Sequence, residues 1–161
     1  MKVKALKEPR LVKTELDPLI AELVARNGKK ILATWACDCV ERVLPYYEEK
    51  SPDDKRPRLA IEAARTWVKN GVFKLADIRR AALAAHAAAR DVEPGDAARS
   101  AAHGAGQALA TIHVAGHAIA AARYAATAVR DGVRPTDAAA AVTIERAWQH
   151  QHLIELSEVT A

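Results

Sequence analysis

Two histidines four residues apart, His113 and His117, have the spacing in this chain that most resembles a chemical device. Imidazoles at i and i+4 share one helix face, as in zinc-binding helices, and His86 would supply a third nitrogen. The pattern lacks a Glu between the two and a third certain ligand, so neither a metal nor another cofactor is expected. On a continuous helix, Gly106, Ala110, His113, His117, Ala121 and Tyr124 fall on one stripe. Small residues there let a neighbouring helix approach closely. The expectation is a buried polar layer of His86, His113, His117 and Tyr124, hydrogen-bonded to one another or to backbone; a pocket or partner contact is the other reading.

A second set is Asp38, Glu41, Arg42, Arg56, Arg58, Glu62 and Arg65. Carboxylates near several arginines can do acid–base work, but nothing places an acid opposite a base across a cleft. Structural ion pairing is expected instead, including Arg58–Glu62 and Glu62–Arg65 on one helix, or a polar recognition face for a protein partner. Trp35, Trp67 and Trp148 are expected as core anchors, and His150 and His152 as solvated side chains. Cys37 and Cys39, two apart and not a CxxC pair, read as reduced core fillers. There is no Gly-rich phosphate loop, no GxSxG and no Cys–His pair with an orienting third group. A nucleophilic enzyme therefore has no support.

The elements that position these residues are helices. The chain has 161 residues with 37 alanines, 28 of them between Ala76 and Ala147, and only seven aromatic rings. Alanine is the best helix former and a poor strand former, so the expectation is an all-α fold in a single domain, 1–161. A basic arm, Met1–Thr14, is expected to be loosely held. The first helix starts at Asp17-Pro18 and stops at Asn27-Gly28, read as a left-handed terminus. The second runs from about Lys29 to Tyr47 with Leu32, Trp35, Ala36, Cys39, Val43 and Tyr46 inward, its last turn kinked or ended by Pro45. The third, opened by Arg56-Pro57 and closed by Asn70-Gly71, buries Leu59, Ala60, Ala63, Ala64, Trp67 and Val68. Leu75 to Arg90 is a fourth helix, and Asp96 caps a long pattern from Ala97 to Arg130 with a break near Ala115-Gly116. The last helix opens at Pro135 and buries Ala141, Ile144, Trp148 and Leu156. The sum is a compact bundle of six or seven mostly antiparallel helices.

The net charge is +4, with +5 in residues 1–75 and −1 beyond. Acidic residues dilute the basic half, so nucleic acid is not the expected partner. No signal peptide is visible at the N-terminus and the Cys usage fits a reducing compartment, so a cytoplasmic location is expected. Ser100–Ala122 lacks Asp, Glu, Lys and Arg, but it is rich in Ala and Gly and carries three His, which argues against a membrane span.

The segments LATWACDCVERVLPYYEE (Leu32–Glu49), SPDDKRPRLAIEAARTWVKNG (Ser51–Gly71), AALAAHAAARD (Ala81–Asp91) and AAHGAGQALATIHVAGHAIAAARYA (Ala101–Ala125) resemble a family of all-helical bacterial immunity proteins of the Imm-five-like type. The resemblance runs through about Leu32–Val129. Its most specific piece is Asp53, Asp54, Arg56, Pro57, Arg58, Ala60, Ile61, Glu62, Ala63, Ala64, Arg65 and Trp67, followed by His113 and His117. In place of a second polar residue that the family often carries near the paired histidines, Gly116 and Ala118 flank His117 here. The resemblance implies a cytosolic, non-enzymatic protein that binds and neutralises a cognate toxin. Inhibitors that plug nuclease sites tend to be acidic; this chain is basic, so a nuclease blocked by charge mimicry is not the expected toxin. The alternative function is a small-molecule- or metal-binding helical protein, or an enzyme, built on His86, His113 and His117. Flat Ala-rich faces also allow a homo-oligomer.

Overall fold

The computed structural model describes residues 10–159. Among them are eight α-helices and no strand: α1 (Asp17–Arg26), α2 (Lys29–Glu41), α3 (Leu44–Lys50), α4 (Arg56–Asn70), α5 (Leu75–Arg90), α6 (Ala97–Ala110), α7 (His117–Gly132) and α8 (Pro135–Val159). The all-α expectation holds, and the expected count of six or seven is low. The additional helix is α3. Pro45 does not kink the end of α2; it sits in the first turn of a new helix, where its missing N–H costs nothing. Tyr47 rather than Tyr46 is the fully buried ring there.

Two Asn-Gly pairs with the same composition end differently. Gly71 has φ +69° and closes α4 with its N–H on the Trp67 carbonyl (2.7 Å), a left-handed cap that favours glycine. Asn27-Gly28 is not left-handed, because Gly28 is extended and serves as the N-cap of α2; the Asn27 amide covers the Leu23 carbonyl instead (2.8 Å).

The long Ala97–Arg130 pattern breaks into α6 and α7 across 111–116. Thr111 Oγ1 turns back to the Gln107 carbonyl (3.1 Å), and three-residue turns follow at Ile112 and His113. The resulting antiparallel pair makes the most extensive helix contact in the molecule, with α5 against α6 next. Buried alanines from all three helices line it: Ala85, Ala88 and Ala89, Ala101, Ala102, Ala105 and Ala108, and Ala118, Ala121, Ala122 and Ala125. Each methyl contributes little apolar area, but their small size brings backbones together. A Cβ on Gly104 would lie 3.1 Å from Val40 Cγ2, which shows how closely α2 lies on α6.

Of the N-terminal arm, residues 1–9 lie outside the described residues. Residues 10–14 lie along α7: Val12 is buried, its N–H donates to Thr127 Oγ1 (3.1 Å), and its carbonyl accepts from Arg123 Nε (3.2 Å).

Two expected inward faces are corrected. On α4, Leu59 is 55% exposed and Ile61 is buried. On α8, Ile144 is 69% exposed, while the inward face is Val142, Glu145, Arg146, Gln149 and Leu153. The apolar residues of α8 are spread over both sides of the helix, so hydropathy does not select its phase. Hydrogen bonds select it. Arg146 Nη1 donates to Gln149 Oε1 (2.8 Å), Gln149 Nε2 to the Ala122 carbonyl (3.0 Å), and Trp35 Nε1 to the Gln149 carbonyl (2.8 Å). Arg146 also pairs with Asp17 at the start of α1, at 2.5 Å. The last helix thus ties α1, α2 and α7 together through a buried polar strip.

Candidate functional site

Three groups of polar side chains emerge. The first is a clasp at the start of α4. Asp54 Oδ1 accepts from the Arg56 N–H (3.1 Å) and Nε (2.9 Å), and Oδ2 from Arg56 Nη2 (2.7 Å) and the Tyr47 hydroxyl (2.6 Å). Arg56 Nη2 continues to Asp91 at the end of α5 (2.8 Å). The Arg56 guanidinium holds the Asp54 carboxyl far below the usual range, and burial, with Asp54 beside it, pushes the Tyr47 phenol up to about 12. This Asp-x-Arg arrangement fastens α3, α4 and α5, so Arg56 is occupied in holding the fold.

The second group is a belt on the surface formed by α2, α4 and α8. Arg65 Nη2 donates to Asp38 Oδ1 (2.6 Å) and its Nε to Glu41 Oε1 (3.3 Å). Asp38 Oδ2 is also 2.7 Å from His152 Nε2, whose ring stacks on Trp148 at 4.7 Å. His152 is therefore not the solvated side chain that was expected. Arg42 forms a two-pronged pair with Glu145 (2.9 and 3.0 Å) and lies 3.9 Å over the Trp148 ring. Arg58 reaches Glu48 at 2.5 and 3.1 Å. Glu62 is exposed and takes part in neither of the pairs expected of it; Arg58 and Arg65 turn to carboxylates on α3 and α2 instead. The structure thus gathers Asp38, Glu41, Arg42, Arg58 and Arg65 on one surface, with Glu62 beside them and Arg56 apart. A carboxylate locked against a guanidinium is a poor proton donor, as Glu48 shows: the hydrogen bond from Arg58 lowers its pKa despite partial burial.

The third group is the histidine layer, and its membership differs from the expected one. His113 lies on the α6–α7 turn, exposed, with its carbonyl taking Lys29 Nζ (3.1 Å). His103 takes its place: its Nδ1 is 2.7 Å from His86 Nδ1, and its ring stacks on Tyr124 at 5.2 Å. His117 Nδ1 meets Gln107 Oε1 at 2.6 Å. The His86 ring lies against Gly106 so closely that a Cβ there would be 2.7 Å from Nε2. The trio His86, His113 and His117 is not assembled, and among the described residues no three His, Cys, Asp or Glu are grouped to hold a metal ion. His103 and Gln107, four apart, are the only polar side chains in Ala101–Ala110. That was the available signal for them.

Residues 22–156 match the family model described as Imm-5 like putative immunity protein. The chain belongs to this family. No curated protein and no solved structure matches it. The Imm-5-like match begins inside α1 and runs into α8, so clasp, belt and histidine layer all lie within it. In this Imm-5-like chain the most distinctive sequence run, Asp53 to Trp67, divides between two tasks: Asp54 and Arg56 fasten the helices, while Arg58 and Arg65 face the surface. The cysteines belong to neither. Burial pushes the Cys37 thiol up to about 12 and Cys39 well above its ordinary value, so both stay protonated and unreactive. No helix among the described residues is long and apolar enough to cross a membrane.

The histidine layer has a pH consequence. Burial, with Arg90 and His117 nearby, lowers the His86 pKa from its ordinary 6.5. The pair with His103 also needs one Nδ1 as donor and the other as acceptor, so it is lost when both rings are charged. A lowered folded pKa means stability that is present above pH 6.5 and lost as pH falls through the folded value. Thermal unfolding at pH 7.5 and pH 5.5 should therefore show a fall that His86→Gln reduces. An equal fall in that variant would place the acid sensitivity elsewhere. The paired carboxylates Asp17, Glu48 and Asp96, all lowered, titrate at more acidic pH than this step.

Proposed function

We propose that this chain is a non-enzymatic immunity protein of the bacterial cytoplasm, which neutralises a cognate toxin by binding it. The capture face is the belt of Asp38, Glu41, Arg42, Arg58 and Arg65, with Glu62 at its edge. Family membership supports the immunity part of this reading. The observation that carries the face is that its charged groups are part-exposed yet fixed. The Arg58, Arg65, Asp38 and Glu41 side chains are between 25% and 37% exposed while each is held by an opposite charge. Groups ordered before binding lose little further freedom, and a guanidinium or carboxylate with one partner keeps donors or lone pairs for a second. Bound groups of this kind act by steric and polar capture, without chemistry on the partner.

The test is the double variant Arg58→Ala/Glu62→Ala. Its helical circular dichroism should match the parent, because both positions lie outside the core. Its affinity for its cognate toxin should fall by about tenfold or more, as for truncated charged contacts in an interface. Undiminished capture by a folded double variant would exclude this face.

A further inference from the structure

Trp148 is enclosed by the belt's ion pairs and takes part in none of them. Arg42, held by Glu145 one turn before Trp148 on α8, lies 3.9 Å over the ring; His152, one turn after, stacks on it at 4.7 Å. The half-buried indole therefore sits between a guanidinium and an imidazole, and it also packs on the core. The three indole N–H groups of the chain differ in their surroundings. That of Trp35 donates to the Gln149 carbonyl, and that of Trp67 is buried without an acceptor. The Trp148 N–H has no acceptor among the described residues and is not buried. With its faces covered, the indole offers a partner only this donor edge.

The charges around the indole do not balance. Asp38, Glu41, Glu48, Glu62 and Glu145 share only three guanidinium groups, those of Arg42, Arg58 and Arg65. Glu62 is exposed and among the described residues has no ion pair, yet its charge reaches Arg58. A charged His152 would still leave carboxylate in excess. The flanking groups do not remove that excess. Lys55 near Glu48, and Lys69 one turn beyond Arg65, are matched by Glu49 and by Glu155 one turn beyond His152. The net charge of +4 thus resides on the rest of the chain, and this face is locally negative.

We infer that Trp148 anchors the capture face and that the face takes a basic segment of the toxin, with a neutral carbonyl oxygen on the indole N–H and a Lys or Arg against Glu41 and Glu62. This rests on the immunity reading above and adds to it the chemistry of the partner. Trp is enriched among the few residues that dominate interface energetics, and an indole already held between two neighbours loses little further freedom on binding. An indole N–H only donates, so the group that meets it is an acceptor. The surrounding carboxylate excess repels an acidic acceptor, which leaves a neutral carbonyl, and it draws in a cation beside it.

Two probes separate the chemistry of the face from the immunity reading. The first is N-acetylated, C-amidated hexalysine, titrated at low salt into the full-length, 15N-labelled chain. It should shift the Trp148 indole N–H signal, identified by its loss in Trp148→Phe, and leave those of Trp35 and Trp67 in place. Hexaglutamate blocked in the same way should move none of the three. Glu41→Gln/Glu62→Gln should weaken the hexalysine response about fivefold, as for two exposed ion pairs lost together. The second probe is the purified cognate toxin. Trp148→Phe should weaken its capture about fivefold, mainly through faster dissociation, since an aromatic ring remains while the N–H is lost. Both Glu positions lie outside the core, so that variant should keep the parent's unfolding midpoint and remains informative even if Trp148→Phe is unstable. No hexalysine response at Trp148, or an equal response to hexaglutamate, would overturn the inference whether or not the chain neutralises a toxin. Undiminished capture by both folded variants would overturn it while leaving the immunity reading intact. A toxin left fully active by the parent chain would overturn the immunity reading and the toxin contact with it.

Discussion

Arg146→Met should lower the stability of this protein by about 3 kcal/mol, the low end of the cost of removing one partner from a buried ion pair, because the Asp17 carboxylate stays 30% exposed. Its side chain is 1% exposed and serves Asp17 and Gln149 at once. Methionine keeps most of the volume, so the loss comes from polarity rather than from a cavity. Asp17 is the group left stranded. Burial raises its pKa, but the Arg146 hydrogen bond and charge, helped by hydrogen bonds from Thr14, bring it below the ordinary value, and without Arg146 only the Thr14 bonds oppose the burial. At about 2–4 °C per kcal/mol for a chain of this size, the unfolding midpoint should drop by roughly 10 °C. Adding Asp17→Ala should restore part of that, because the uncompensated charge is gone. A midpoint shift of only a degree or two in Arg146→Met would show that the strip does not hold α8 and α1 together.

Trp35→Ala should cost a similar amount, about 3–5 kcal/mol, the range for truncating a buried aromatic side chain. Trp35 is fully buried at the middle of α2, and its Nε1–H donates to the Gln149 carbonyl at 2.8 Å. Loss of the ring opens a cavity in a core rich in alanine, whose short side chains do little to fill it. Trp35→Phe should cost less, retaining most of the ring but leaving that carbonyl without its donor. Because Trp35 and Arg146 both bond Gln149, their effects should not add; the double variant should fall short of the sum by 0.5 kcal/mol or more. Additivity within error, measured by denaturant unfolding, would mean that the two bonds stand independently.

These residues also mark where sequence reasoning succeeds and where it stops. Local signals gave the limits of α4 and α5 and the Asp96 cap, whose side chain accepts from the Ala98 N–H at 2.8 Å, whereas α1 ends where expected although neither a cap at Asp17 nor a left-handed Asn27-Gly28 forms. Those signals are stereochemical and act within a few residues. The phase of α8 was not legible, because its inward face is chosen by partners on α1, α2 and α7, more than 25 residues away in sequence. His103 is not legible for a related reason: a stripe that holds both His113 and His117 requires one unbroken helix. The break at 111–116 takes His113 out of the layer and leaves His103, on α6, to face His86 across the α5–α6 contact. The charged set was legible as a set, while its pairing was not. Arg58 and Arg65 lie on the same helix as Glu62, yet they reach Glu48 on α3 and Asp38 on α2, because tertiary neighbours offer better geometry than a flexible i,i+4 contact.

If this chain neutralises a toxin as proposed, it does so by stoichiometric binding. The direct measurement is the toxin's residual activity as purified immunity protein is added to a fixed amount of it. Binding predicts a linear fall that reaches its floor at one equivalent, with the mass of both chains unchanged afterwards. Complete inactivation well below one equivalent, or a covalent change in the toxin, would contradict the account and make this protein an enzyme.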